Sequence, residues 1–209
     1  MHRLPLSFIE VRPIELTNVI AVLLLGALQH GFPFRIGQAS IMLNWANLEL
    51  DNGESTFDSM QESLDWHDRF NAAMDKPYFQ GLQADQLLKH NRPAEALAVL
   101  DDAIGSLNIK RSFYWEPELL RLKAKAQQEL REPSEVVANT LKAATAKAIE
   151  QHSLNLELRA RRDLFLLRHQ DGPAKEEHSA LEEVLSRFTE GTKLPEYIAA
   201  SQLVSNPSS

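Results

Sequence analysis

Three groups of side chains in this chain have the residue types and spacings that chemistry requires. Arg121 and Lys125 lie four residues apart, and Arg159 and Arg162 three apart, so each pair shares one face of a helix. Four cations converging on one groove would capture an acidic or C-terminal peptide segment through charge-assisted hydrogen bonds. The competing reading pairs Arg159 and Arg162 with Glu118 or Glu157 as surface ion pairs, contributing roughly 0–1 kcal/mol each. Asp65, His67 and Asp68, with Trp66 between them and Asp58 and Glu62 nearby, supply the carboxylate and imidazole donors of a metal site. Asp58, Glu62 and Asp65 share one face of an outer helix, where a charged stripe is ordinary solvated surface, and no metal ligand is assigned. His169 and His178 flank a turn and read as exposed polar residues; a Ser-His-Asp arrangement is defined by geometry, not by order in the chain. Trp45, Trp66 and Trp115, with Tyr78 and Phe79, have faces that stack on ligands, but their helical spacing assigns them to the core. No catalytic residue and no cofactor is assigned, and the chain is read as a non-enzyme.

These side chains must be positioned by helices. Few glycines and prolines interrupt the chain, at intervals of helix length, and the period-2 alternation of strands is missing. A helix is expected over about 14–30, followed by hairpins over about 36–73, 76–108, 116–152 and 155–190, and a capping helix over 195–204. Residues 1–13 form an irregular lead and 205–209 a disordered tail. Pro93 suits the first turn of a helix, where its missing N–H costs nothing, and Pro117 and Pro133 open helices in the same way. With Ala46, Ala84, Ala124 and Phe165 as the packing positions of successive first helices, the spacings are 38, 40 and 41 residues. One hairpin per step is the signature of a repeat array, because a lone hairpin cannot bury its apolar face.

Ala84, Ala96 and Ala103, around the phrase Asn91-Arg92-Pro93-Ala94-Glu95-Ala96-Leu97, fall where the tetratricopeptide repeat places its small residues. The phrases His30-Gly31-Phe32-Pro33-Phe34, Pro77-Tyr78-Phe79, Glu118-Leu119-Leu120-Arg121-Leu122-Lys123, Leu156-Glu157-Leu158-Arg159-Ala160 and Arg187-Phe188-Thr189-Glu190-Gly191 add a narrower likeness. In that order they resemble the C-terminal repeat tail of bacterial regulators that join an adenylate cyclase or DNA-binding output domain to a P-loop ATPase. The resemblance covers roughly residues 14–204. It implies an all-α, right-handed superhelix of about four hairpins with an extra N-terminal helix and a C-terminal cap. The first helices would then line a concave groove holding Arg121, Lys125, Arg159 and Arg162. Phe165, Val136 and Glu177 stand where small residues are expected, so those hairpins are expected to be splayed or repacked. No Gly-x-x-x-x-Gly-Lys-[Ser/Thr] loop occurs, so ATPase, cyclase and transcriptional activities are not carried over. Asn47 fits one position of the carboxylate clamp of chaperone-binding repeats, but Leu43 occupies a clamp lysine position.

The bulk composition sets limits in the same direction. A 209-residue chain with 44% hydrophobic residues can bury a sizeable core. Its net charge of −7 argues against nucleic acid, whose binding rests on phosphate neutralisation. Without cysteine there are no disulfides or thiolate sites, which fits a reducing cytoplasm. The longest apolar run, Ile20 to Leu28, is about half the ~20 residues of a membrane span. The expectation is therefore a cytoplasmic, non-catalytic protein-interaction or scaffold module in signal transduction, with a ligand- or peptide-sensing domain acting in trans as the alternative. Its partner would be a protein or peptide, with an acidic segment in the groove. Ile20, Leu24 and Leu28 on the opening helix mark a surface for a homodimer or docked partner, because a terminal repeat normally carries a polar outer face and this one does not.

Overall fold

The computed structural model describes residues 13–50, 56–69, 75–110, 113–170 and 172–205; the expected lead before Pro13 and the tail after Ser205 lie outside them. The described residues form ten α-helices, one 3₁₀ turn and no strand. The helices are α1 (Pro13–His30), α2 (Pro33–Leu50), α3 (Phe57–Asp68), α4 (Lys76–Lys89) and α5 (Pro93–Lys110), then the 3₁₀ turn Phe113–Trp115. After it come α6 (Glu116–Glu129), α7 (Ser134–Glu150), α8 (Leu154–His169), α9 (Lys175–Ser186) and α10 (Pro195–Ser205). Ser205, expected in the tail, closes α10, where its hydroxyl donates to the Ser201 carbonyl at 2.9 Å.

One local device ends four of the helices. Phe32, Arg92, Glu132 and Ser153 each donate their backbone N–H to the carbonyl five residues back, on Ala27, Leu87, Gln127 and Ala148, at 2.9–3.0 Å. The residue before each takes a left-handed conformation: Gly31 (φ 65°), Asn91 (φ 57°), Arg131 (φ 60°) and His152 (φ 54°). This cap satisfies the last carbonyls of one helix and reverses the chain into the next within two or three residues. Glycine adopts that conformation freely and asparagine with little penalty, whereas Arg131 and His152 hold it at a cost.

The chain divides into two compact units, one ending at Ser112 and the other continuing from Phe113. In the first, α1 packs on α2, α2 on α3 and α4, and α4 on α5. Ile20, Ile41, Trp45, Ala46, Met60, Leu64, Phe79 and Leu82 pack together in a core of this unit. Gly37 lets α2 and α3 approach closely: a Cβ there would sit 2.9 Å from His67 Nδ1 and 3.1 Å from His67 Cα. The expectation that all three tryptophans are core is corrected for Trp66, which is 40% exposed on the outer face of α3.

In the second unit α7 packs between α6 and α8, α6 also touches α8, and α10 closes the end against α8 and α9. Ala124, Ala138, Ala144 and Ala160 are fully or nearly fully buried, so small side chains let the helices of this unit approach closely. Phe165 breaks that pattern by filling a core with Leu158, Ala174, Leu181, Val184 and Ala200. Val136, the other bulky departure, points outward and is exposed.

Candidate functional site

Three places in the fold gather chemically distinctive side chains. The first lies between α6 and α8. Arg121 donates Nε and Nη2 to the two oxygens of Glu118 at 2.9 and 2.8 Å, and Nη1 to Asp163 Oδ2 at 2.6 Å. Arg159 Nη2 stands 3.0 Å from Glu118 Oε1. Arg162 donates Nε and Nη2 to Asp163 Oδ1 at 3.1 and 2.7 Å. Burial pushes the Glu118 carboxyl up, but Arg121 and Arg159 outweigh it and hold it below the usual glutamate range. The same opposition, with Arg121 and Arg162 prevailing, holds Asp163 below the usual aspartate range. Burial pulls Arg159 below the usual arginine value despite Glu118.

The expectation of an open cationic surface is therefore corrected for three of its four residues. Arg121, Arg159 and Arg162 are buried at 6–9% exposure and neutralised by carboxylates of the same chain. The physical reason is geometric: residues three apart on α6 put Glu118 beside Arg121, and the α6–α8 packing brings Asp163 and Arg159 onto that pair. Nor is Glu118 a surface partner, since it is 4% exposed. Lys125 alone of the four is half-buried, close enough to Glu129 to act on its carboxyl. A second buried carboxylate, Glu157, accepts Arg161 Nε at 2.9 Å and Arg187 Nη1 at 3.0 Å on each oxygen.

The second place is α1. Ile20 and Ala27 turn inward, 5% and 6% exposed, and Leu24 is half-buried. The outer face carries Val19, Val22, Leu23, Leu25 and Leu28, and Phe32 in the turn that follows, each more than half exposed. Of the expected docking residues, Leu28 lies on this face, while Ile20 belongs to the core with α2. The period of 3.6 explains the correction: Ile20, Leu24 and Ala27 share the inner stripe, so the free stripe is the complementary one. Along its edge, Ile20, Val22, Leu23, Phe32 and Met42 line an apolar groove of about 520 Å³.

The third is a groove of about 670 Å³ at the mouth of the α8–α9 hairpin, lined by Phe165, His169, Pro173, Ala174, His178 and Ser179. His169 stacks on Phe165 at 5.3 Å between ring centroids, and His178 meets the same ring edge-on at 5.9 Å. His178 Nε2 lies 3.1 Å from the Val204 carbonyl, a contact that requires the proton on Nε2. Neither histidine is the exposed polar residue expected from the sequence. Their signal was the bulky Phe165 at a position where a small residue was expected, since both imidazoles pack on its ring.

The carboxylate–imidazole cluster is not assembled. His67 points into the core at 1% exposure, between Phe34 and Phe79 at 5.1 and 5.3 Å. Asp65 accepts from Gln61 on the surface and Asp68 pairs with Lys76 at 2.9 Å. Among the described residues no three His, Cys, Asp or Glu side chains are grouped to hold a metal. Burial lowers the His67 pKa, outweighing the pull of Asp75 and Asp68. Among the described residues, too, no helix is long and apolar enough to cross a membrane. No family model, curated protein or solved structure matches the chain.

Proposed function

We propose that this chain is a non-catalytic protein-interaction module, a scaffold built from stacked helix hairpins and similar in kind to the tetratricopeptide-like tail of a bacterial signalling regulator. The observation that supports this reading is the outer face of α1. Five aliphatic side chains more than half exposed on one helix, continued by Phe32, are a patch that soluble proteins keep for a partner. The cap that ends α1 turns the chain directly into α2, on which α1 packs, and so gives this face a support. An acidic or C-terminal segment, the partner chemistry expected from the sequence, would meet Lys125 and not the paired arginines. The test is comparative capture: immobilised wild-type chain and a Val22→Glu/Leu23→Glu variant are exposed to lysate and bound proteins quantified by mass spectrometry. A partner held by the wild type and lost from the variant supports the module. Equal capture by both removes α1 from the account.

The groove at Phe165 favours a second reading, a sensing domain. Its apolar floor and two imidazoles on one ring fit a small planar ligand or a peptide side chain. Ligand-dependent thermal stabilisation that is lost in His169→Ala/His178→Ala tests it.

A further inference from the structure

The interaction reading leaves the occupant of α1 open, and resting on that reading we infer that it is α1 of a second copy of this chain, antiparallel about a two-fold axis passing between Val22 and Leu23. From Leu16 to Gln29 the helix carries no charged side chain, so the face offers an unlike partner no charge pattern to recognise. It does offer a pattern that complements itself. Val19, Val22, Leu23 and Gly26 share one stripe at spacings of 3, 1 and 3, and reversing the helix about the midpoint of Val22 and Leu23 maps that stripe onto itself. In the antiparallel pair Val22 of one copy faces Leu23 of the other, the two most exposed aliphatic residues on the helix, at 68% and 62%. Val19 faces Gly26, where an added Cβ would meet nothing within 4 Å, so the valine has a vacant position to enter. Each contact occurs twice, as an isologous interface requires.

The area is that of a small interface. Val19, Val22 and Leu23 on the stripe and Phe32 beside it, each more than half exposed, present roughly 100 Å² each, or roughly 400 Å² per copy, about half of the about 800 Å² per partner in a standard interface. Met42 and the aliphatic part of Arg35 border the adjoining groove and widen the contact. The chain of α1 is about 27 Å long at 1.5 Å per residue, enough for the stripe to repeat on both sides of the axis.

Sedimentation equilibrium of the full chain at micromolar concentration, with three variants, tests the pairing. The wild type is expected as a dimer, and Val22→Glu/Leu23→Glu as a monomer with the wild-type circular dichroism spectrum, both positions being exposed in the single chain. Gly26→Leu fills the position that Val19 of the other copy needs, and is expected to weaken dimerisation by about tenfold or more without lowering the melting temperature. Because the chain has no cysteine, Val22→Cys introduces a sole thiol beside the axis and is expected to give a disulfide-linked dimer on oxidation. Ile198→Cys on α10, also exposed, is expected to give none. A wild-type monomer, a dimer indifferent to the glutamates, or equal cross-linking at Val22 and Ile198 overturns the pairing. Should the wild type be monomeric while the glutamate variant still loses a captured partner, the interaction reading stands and only the second copy is rejected.

Discussion

Removing the charge of Glu118 should destabilise the second unit more than any other single ionic change in the described residues. Glu118→Gln keeps the shape of the side chain but withdraws the carboxylate that accepts two bonds from Arg121 and faces Arg159 at 3.0 Å. Both guanidiniums are buried, so neither can exchange the lost partner for water. Breaking a buried ion pair by deleting one partner costs about 3–5 kcal/mol, and at roughly 2–4 °C per kcal/mol for a chain of this size the melting temperature should fall by about 6–20 °C. Differential scanning calorimetry and urea titration at pH 7 measure this directly, and added salt should not remove the difference because the site is shielded from ions. The pairing also fixes an acid limb. Glu118 and Asp163 have folded values depressed below the ordinary 4.5 and 3.8, so they stabilise the fold fully above those values. That contribution is lost as pH falls through the depressed values, and Glu118→Gln should flatten that part of the stability profile. A loss under about 1 kcal/mol, or a difference abolished by salt, would show that the guanidiniums are hydrated and the burial argument wrong. By the same reasoning, Arg159→Glu/Arg162→Glu should unfold this unit, since it places new carboxylates beside Glu118 and Asp163.

His67→Phe should remove a loss of wild-type stability between pH 6.5 and the lowered folded value, because the unfolded histidine binds the proton that the buried one refuses; denaturant midpoints at pH 7 and pH 5 check it. Gly37→Ala should cost about 1–3 kcal/mol through overpacking against the His67 backbone, whereas Gly105→Ala, in open space on α5, should stabilise by about 0.5–1 kcal/mol. Arg131→Gly and His152→Gly should each raise stability by about 1 kcal/mol by relieving left-handed backbone, while Asn91→Ala should lower it; urea unfolding distinguishes the three.

How far the sequence carries the account depends on what each residue had to reveal. The helices were legible because Pro93, Pro117 and Pro195 mark their first turns and apolar residues recur at helical spacing within each element. The small residues Ala46, Ala84 and Ala124 were legible for the same reason, as positions where two helices touch. The direction of α1 was not: nine of its residues from Val19 to Leu28 are large or small aliphatics all around the helix, so nothing in their order says that Ile20 faces α2 and Val22 faces out. The arginines failed for a different reason. A basic residue at helical spacing looks alike whether it meets solvent or a carboxylate from another helix, and Asp163 reaches Arg121 only through packing of elements 42 residues apart. His67 illustrates the converse, because its acidic neighbours in sequence stay outside while the ring turns inward against Phe34 and Phe79.

If another chain is held on the outer face of α1, as proposed, that face must become shielded when the complex forms. Radical footprinting read residue by residue addresses it most directly, comparing the wild type at micromolar concentration with the same chain diluted far enough to stand alone. Val22, Leu23 and Leu25 should be labelled in the dilute chain and protected at working concentration or in the presence of a captured partner, with Ile198 and Val136 labelled equally throughout. Protection confined to Phe165, His169 and His178, with α1 labelled alike under every condition, would contradict the claim and move the function to the α8–α9 groove.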